Sequence, residues 1–315
     1  MSCACSNNYY NVTKDSFEQK VKVLGVAPIF LDSESDIKHP EKEAILNLIK
    51  EQNRKNEKEL VALLKGTGSF FSVRFLEVDP DSQFRSLMSR RERRDDASVV
   101  YNKYFYNLPE LKDFITKNGV DAVMFTVVSG ITREDTVRSS NLISYLKSNY
   151  NCLIMTSQIF DLDGNTLWEF PNFRENSPSL PALIELQYPN FDEAKANSTD
   201  YVDIKFKSIH GITRAFNETD DSSTPGGGKV SKLYVSVFNE MVDLLRPEKK
   251  FPWWNKEDKT DKLQQQEPPT ADDIKAGPIK NETTSPAKGH PEVIKEEPVI
   301  SQPIKEEPIK EETIK

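Results

Sequence analysis

The sequence predicts an α/β domain, a single mixed β-sheet flanked by helices, followed by a disordered carboxy-terminal tail; the same elements would also satisfy an α+β arrangement. Two observations carry this reading. Apolar, β-prone runs recur at 21–31, 120–128 and 152–160, and stripes of apolar residues at helical spacing lie between and after them. From Asn255 onward aromatic residues are absent while Pro, Lys and Glu dominate. Such a stretch cannot bury enough apolar surface to offset the entropy of ordering. The chain therefore divides into a polar tether at 1–19, a domain at 20–254 with an irregular insertion at 171–228, and an acidic repeat tail at 255–315.

The first strand starts with alternation at Val21, Val23 and Leu24 and becomes continuously apolar through Leu31, the pattern of a strand buried on both faces. Pro28 cannot donate to a ladder and is expected to close the pairing segment. A helix follows, with Glu41 and Glu43 near its positive end and apolar positions at Ile45, Leu48 and Ile49. Its stripe fades through Gln52-Asn53-Arg54-Lys55-Asn56 and resumes at Leu60, Val61, Leu63 and Leu64, so one long helix or two short ones fit equally. Gly66 and Gly68 end it, and 70–78 alternates as a second strand.

The cluster Arg90-Arg91-Glu92-Arg93-Arg94-Asp95-Asp96 reads as a solvated helix end with internal ion pairing, because acidic residues are interleaved with the basic ones. Leu108-Pro109 opens a helix with Leu111, Phe114 and Ile115 on one face, capped by Asn118-Gly119. A buried strand at 120–128 is followed by a polar segment. The run 152–160, the turn Asp161-Leu162-Asp163-Gly164-Asn165 and the run 166–170 form a hairpin signature. Within 171–228, residues 202–206 alternate like an edge strand. A last helix carries Val230, Leu233, Val237, Met241, Leu244 and Leu245 at i, i+3, i+4 spacing and stops at Pro247. Phe251-Pro252-Trp253-Trp254 is expected to fold back on the domain; Trp253 and Trp254 are the candidate docking patch if exposed.

Charge and special residues exclude several function classes. Formal net charge is −8, half of it in the tail, where 14 acidic residues face 10 lysines. Nucleic acid is therefore not expected as a partner, since neutralising phosphates needs a basic surface. No apolar run approaches the ~18 residues of a membrane-spanning helix. The histidines, His39, His210 and His290, are scattered, and the cysteines, Cys3, Cys5 and Cys152, form neither a zinc set nor a disulfide framework. Cys152 sits in an apolar run and is expected in the core. Gly226-Gly227-Gly228-Lys229 precedes a helix, but the first glycine of a phosphate-binding loop is replaced by Ser223 and Val230 follows the lysine. Asp161-x-Asp163-Gly164 places its glycine too early for a calcium loop. No nucleophile elbow or metalloprotease motif is present, so no catalytic, metal-binding or cofactor-binding residue is assigned and no cofactor is expected.

The amino terminus, Met1-Ser2-Cys3-Ala4-Cys5, resembles the processed end of a bacterial lipoprotein: a small residue precedes the cysteine and a polar stretch follows it. Cys3 is the expected lipid attachment site and Cys5 the alternative; the apolar signal segment such chains carry is expected upstream of Met1. The domain resembles envelope lipoproteins built like the amino-terminal domain of the Tol translocation protein B, with the curli secretion channel lipoprotein and the outer-membrane activator of a penicillin-binding protein as relatives in fold. The resemblance rests on the 21–30 strand ending in Ala27-Pro28, on Gly119-Val120-Asp121-Ala122-Val123, and on Ile159 to Trp168 with Asp161, Gly164 and Trp168 at the motif positions. It covers about 20–170 and the helix at 229–246, and 171–228 departs from it. These motifs are structural: they imply a fold and an envelope setting and carry no functional residue across.

The resulting expectation is a non-catalytic binding or assembly factor, anchored to a bacterial membrane by lipid, in the outer membrane facing the periplasm, with envelope proteins as partners. Two other classes fit the same sequence. One is a small-molecule enzyme with a cleft at the strand ends. The other is a eukaryotic regulatory protein, whose tail repeats Ile-Lys-Glu-Glu at Ile294, Ile304 and Ile309, the pattern used for conjugating small ubiquitin-like modifiers; the alternative location is the cytoplasm, with Cys3 and Cys5 incidental.

Overall fold

A strand buried on both faces must feed two cores, and the central strand of this sheet does so. The computed structural model describes residues 9–96, 99–138, 145–172, 180–191, 203–219 and 229–247. Its first half contains α1 (Lys14–Lys20), β1 (Val23–Val26), β2 (Phe30–Asp32), α2 (Lys42–Gly66), β3 (Ser72–Phe75), α3 (Pro80–Leu87), β4 (Met88–Arg94), β5 (Tyr101–Tyr106) and α4 (Leu108–Asn118). Then follow β6 (Ala122–Arg138), β7 (Tyr145–Asp161), β8 (Thr166–Phe170), β9 (Ile184–Glu185), β10 (Gln187–Asn190), β11 (Asp203–Phe206), α5 (Ile209–Asn217) and α6 (Lys232–Asp243). The fold is α/β, with a seven-stranded mixed sheet ordered β3-β1-β6-β7-β8, β2 beside β6 and β9 beside β7. β1 and β2 run parallel to β6, and β7 runs antiparallel to it.

Along β6, Ala122, Met124 and Val128 enter one core and Val123, Phe125 and Val127 the other, the two-residue period of a strand. The first core lies under α2, α5 and α6; the second is closed by α3, α4 and the β4–β5 ribbon, with Phe30, Phe84, Tyr104, Tyr106 and Phe125 in mutual ring contact.

Pro28 ends β1, but pairing resumes at β2. Leu24 stands opposite Ala122 and Phe30 opposite Val127, so the Ala27-Pro28-Ile29 stretch holds one residue more than β6 does across the gap. α2 meets the groups this bulge leaves over. Asn53 Nδ2 donates to the Ile29 carbonyl at 3.1 Å, and Tyr234 Oη donates to Asn53 Oδ1 at 2.6 Å. Asn56 Oδ1 accepts from the Ser231 amide at 2.8 Å, at the start of α6. The polar gap in the stripe is therefore a buried seam of hydrogen bonds, and α2 is one helix of 25 residues.

The arginine-rich cluster lies on strand β4 and not at a helix end. Its internal pairing holds: Arg90 meets Glu92, Arg93 meets Asp95 and Arg94 meets Asp96, while Arg91 reaches the buried Asp32. The polar segment after residue 128 is also strand. β6 and β7 each run 17 residues and continue past the core as a two-stranded arm, in which Glu134, Thr136, Arg138, Lys147 and Asn149 are exposed. The described part of the segment read as a tether belongs to the domain. Phe17 of α1 is buried, and Tyr9 to Asn11 lie along β8, with Glu169 N–H donating to Tyr9 O at 3.0 Å and Asn11 N–H to Leu167 O at 2.9 Å.

The residues that carry the family resemblance act as clasps. Asp121 accepts the Lys22 and Val23 amides at 3.0 and 2.7 Å, and Gly119 takes φ 58° to stop α4. Asp161 accepts the Asp163 and Asn165 amides, closing the β7–β8 turn in which Gly164 has φ 82°. Among the described residues no helix is long and apolar enough to cross a membrane.

Candidate functional site

Cys3, Cys5, Trp253, Trp254, the tail at 255–315 and the glycine run at 226–228 lie outside the described residues. The described residues offer two other constellations, and their hydrogen bonding distinguishes them.

The first surrounds Asp32 at the end of β2. Its carboxylate, 2% exposed, accepts from Arg91, from Tyr104 Oη at 2.8 Å and from the Glu34 amide at 3.1 Å. Burial and the neighbouring Asp32 push the Tyr104 phenol well above its ordinary value, so it stays a donor. Ser35 and Asn102 tie the same corner to β6 through Gly130 and Ser129. The Asp32 carboxylate is spent inside the protein, on Arg91, Tyr104 and the Glu34 amide, which makes this network a structural brace.

The second is an open cleft of about 670 Å³ between β9, β10 and α5. β9 is fixed to β7 on both sides of its short span: Leu183 N–H donates to Leu153 O at 2.7 Å and Leu186 N–H to Asn151 O at 2.9 Å. Lys207 is pinned through its backbone, its amide donating to Leu186 O and its carbonyl bonded to His39 Nε2, both at 2.9 Å. Ser208 then caps α5, its Oγ accepting the Gly211 amide at 3.1 Å, while Ile212 and Phe216 seat that helix on the core. Glu185, Tyr188, Lys207 and Arg214 thereby converge on one opening.

This site keeps unspent capacity. Glu185 Oε1 lies 3.5 Å from Arg133 Nη2, but among the described residues Oε2 is buried without a hydrogen-bond partner. Burial raises the Glu185 carboxyl despite the opposing Arg133 charge, and burial lowers the Lys207 ammonium despite Glu185. Among the described residues neither Lys207 nor Arg214 is ion-paired. Beneath them Cys152 faces Glu185 across the β7–β9 ladder, and burial pushes its thiol up to about 12. It is held as an inert thiol, in the core as expected. The arrangement can bind by hydrogen bonds and charge. Among the described residues no group of three His, Cys, Asp or Glu side chains could hold a metal ion.

Sequence reasoning missed this cleft because it lies in the stretch read as irregular. The signal was present in Ser208 followed by Ile209, Ile212 and Phe216, a capping residue ahead of a short apolar stripe.

No protein-family model matches the chain, and no curated protein sequence does. Among solved structures, a PelC dodecamer from Paraburkholderia phytofirmans is similar over 48% of this chain and 68% of its own, with 9% identity and a TM-score of 0.21. A neuraminyllactose-binding hemagglutinin homolog from Helicobacter pylori is similar over 75% of this chain and 91% of its own, with 8% identity and a TM-score of 0.28. Likeness of that order carries no argument about function.

Proposed function

We propose that this chain is a non-catalytic binding or assembly factor of the bacterial cell envelope, anchored by lipid on Cys3 and facing the periplasm from the outer membrane. The observation that carries the binding half is the open cleft, lined by Lys207 and Arg214, which among the described residues form no ion pair. In contrast, the buried carboxylate of Asp32 is engaged internally. The anchoring half rests on Ser2-Cys3 and the polar residues after it. The envelope setting rests on the family resemblance, whose residues act here as scaffold clasps.

The anchor is tested by expressing the gene with its upstream coding region in a bacterium fed an alkyne-tagged fatty acid, beside Cys3→Ala and Cys5→Ala. The wild type and Cys5→Ala are expected to take the label and sediment with membranes, and Cys3→Ala to do neither. Wild-type protein that is unlabelled and soluble overturns the reading.

A further inference from the structure

The charge and shape of the cleft restrict what it can hold. Its polar side presents Lys207 and Arg214, together with Glu185. Behind Glu185, Arg133 contacts its carboxylate, and Asp135 lies close enough to influence it electrostatically. These five groups leave one positive charge in excess. A monoanion cancels that excess, whereas a dianion leaves an uncompensated negative charge beside Glu185 in a partly desolvated site. Tyr188, Ala215 and Leu233 add aromatic and aliphatic lining to the same cleft and no further formal charge. The volume of about 670 Å³ lies inside the roughly 300–1,000 Å³ of small-molecule sites.

From this juxtaposition we infer that the cleft binds a small organic monoanion, a carboxylate on an apolar body, with Lys207 and Arg214 taking the carboxylate and the Tyr188–Leu233 wall taking the body. Glu185, held against Arg133 at the rim of the same cleft, sets the negative side of the site and disfavours a second anionic group. The inference rests on reading the chain as a binding protein and is independent of its anchoring.

The experiment titrates the full chain, labelled with nitrogen-15, with hexanoate, hexan-1-ol and hexyl phosphate, following the amide signals of Tyr188, Gly211 and Arg214. Hexanoate should shift them saturably, and the alcohol and the phosphate should each bind at least about tenfold more weakly. Lys207→Gln should weaken hexanoate about tenfold, while its unchanged melting temperature and unchanged signals away from the cleft show that it folds. Arg214→Gln, on an exposed helix position, should weaken it severalfold with no effect on folding. Equal affinity for hexanoate and hexan-1-ol, tighter binding of hexyl phosphate, or hexanoate affinity unchanged by both substitutions overturns the ligand class. Silence from all three probes overturns the cleft as a binding site, whatever the lipid-labelling result.

Discussion

Replacing Asn53 by Leu completes the apolar stripe of α2, so pattern reasoning alone predicts stabilisation. The structure predicts the reverse. Asn53 is 2% exposed and holds two buried groups, the Ile29 carbonyl and the Tyr234 hydroxyl. Leu would orphan both at roughly 1–3 kcal/mol each, and its larger volume would add about 1–3 kcal/mol of overpacking. Burying its side chain returns roughly 1.5–3 kcal/mol. The balance is a loss of about 4 kcal/mol, a large share of the ~5–15 kcal/mol that stabilises a domain. Urea unfolding followed by the fluorescence of Trp168, buried in the core, measures it. Tyr234→Phe is the control. In the wild type it strands Asn53 Oδ1 and should cost about 1–2 kcal/mol; beside Asn53→Leu it removes an orphan and should cost nothing, a coupling of at least ~1 kcal/mol. An Asn53→Leu protein as stable as the wild type, or equal costs of Tyr234→Phe in both backgrounds, refutes the seam.

Further substitutions test other joints. A Cβ on Gly130 would meet the Asp36 carbonyl oxygen at 2.6 Å and the Ile37 side chain, so Gly130→Ala should cost about 1–3 kcal/mol in urea unfolding. Lys103 and Glu169 form an ion pair at 2.7 Å with 13% and 2% of their side chains exposed, and Lys103→Ala should cost about 3–5 kcal/mol by leaving a buried carboxylate. In Cys3→Ser/Cys5→Ser protein, a thiol reagent should label Cys152 only as fast as the domain opens; prompt labelling in the native state would contradict its burial. Its folded thiol lies near 12 against 9.0 for a free one. The unfolded chain therefore ionises first as pH rises, and stability present below about pH 9 is lost toward pH 12. Cys152→Ala should lack that component, as paired melts across the window will show.

The elements most legible in the sequence were those whose periodicity reflects a single buried face. The 108–118 helix, with Pro109 early and Gly119 at positive φ, and the Asp161–Asn165 turn carry their instructions locally. β4 was misread because Arg90, Arg91, Arg93 and Arg94 carry no apolar alternation; its place is fixed by pairing with Tyr101–Tyr106 and by Asp32, distant in sequence. The same holds for Asn53 and Asn56, whose buried polarity is explained only by the bulge at Pro28 and by α6, while Arg54 and Lys55 between them are exposed. The ends of β6 and β7 escaped notice because a solvated ladder needs no apolar residues to continue. The cleft required β9, β10 and α5 together, and short elements of two, four and nine residues leave weak patterns.

The strand-like clip of Tyr9 to Asn11 on β8 changes the mechanics of anchoring. A free leader from Cys3 to residue 20 could pay out to roughly 60 Å at full extension, whereas the span from Cys3 to Tyr9 reaches at most about 20 Å. With an acyl chain on Cys3, the domain would be moored on a short line made fast at one edge of its sheet. The β8 edge would ride against the headgroups, and β3, at the other end of the strand order, would face away from them. Such a mooring selects which surfaces a soluble partner meets, without inserting any part of the folded domain into the bilayer.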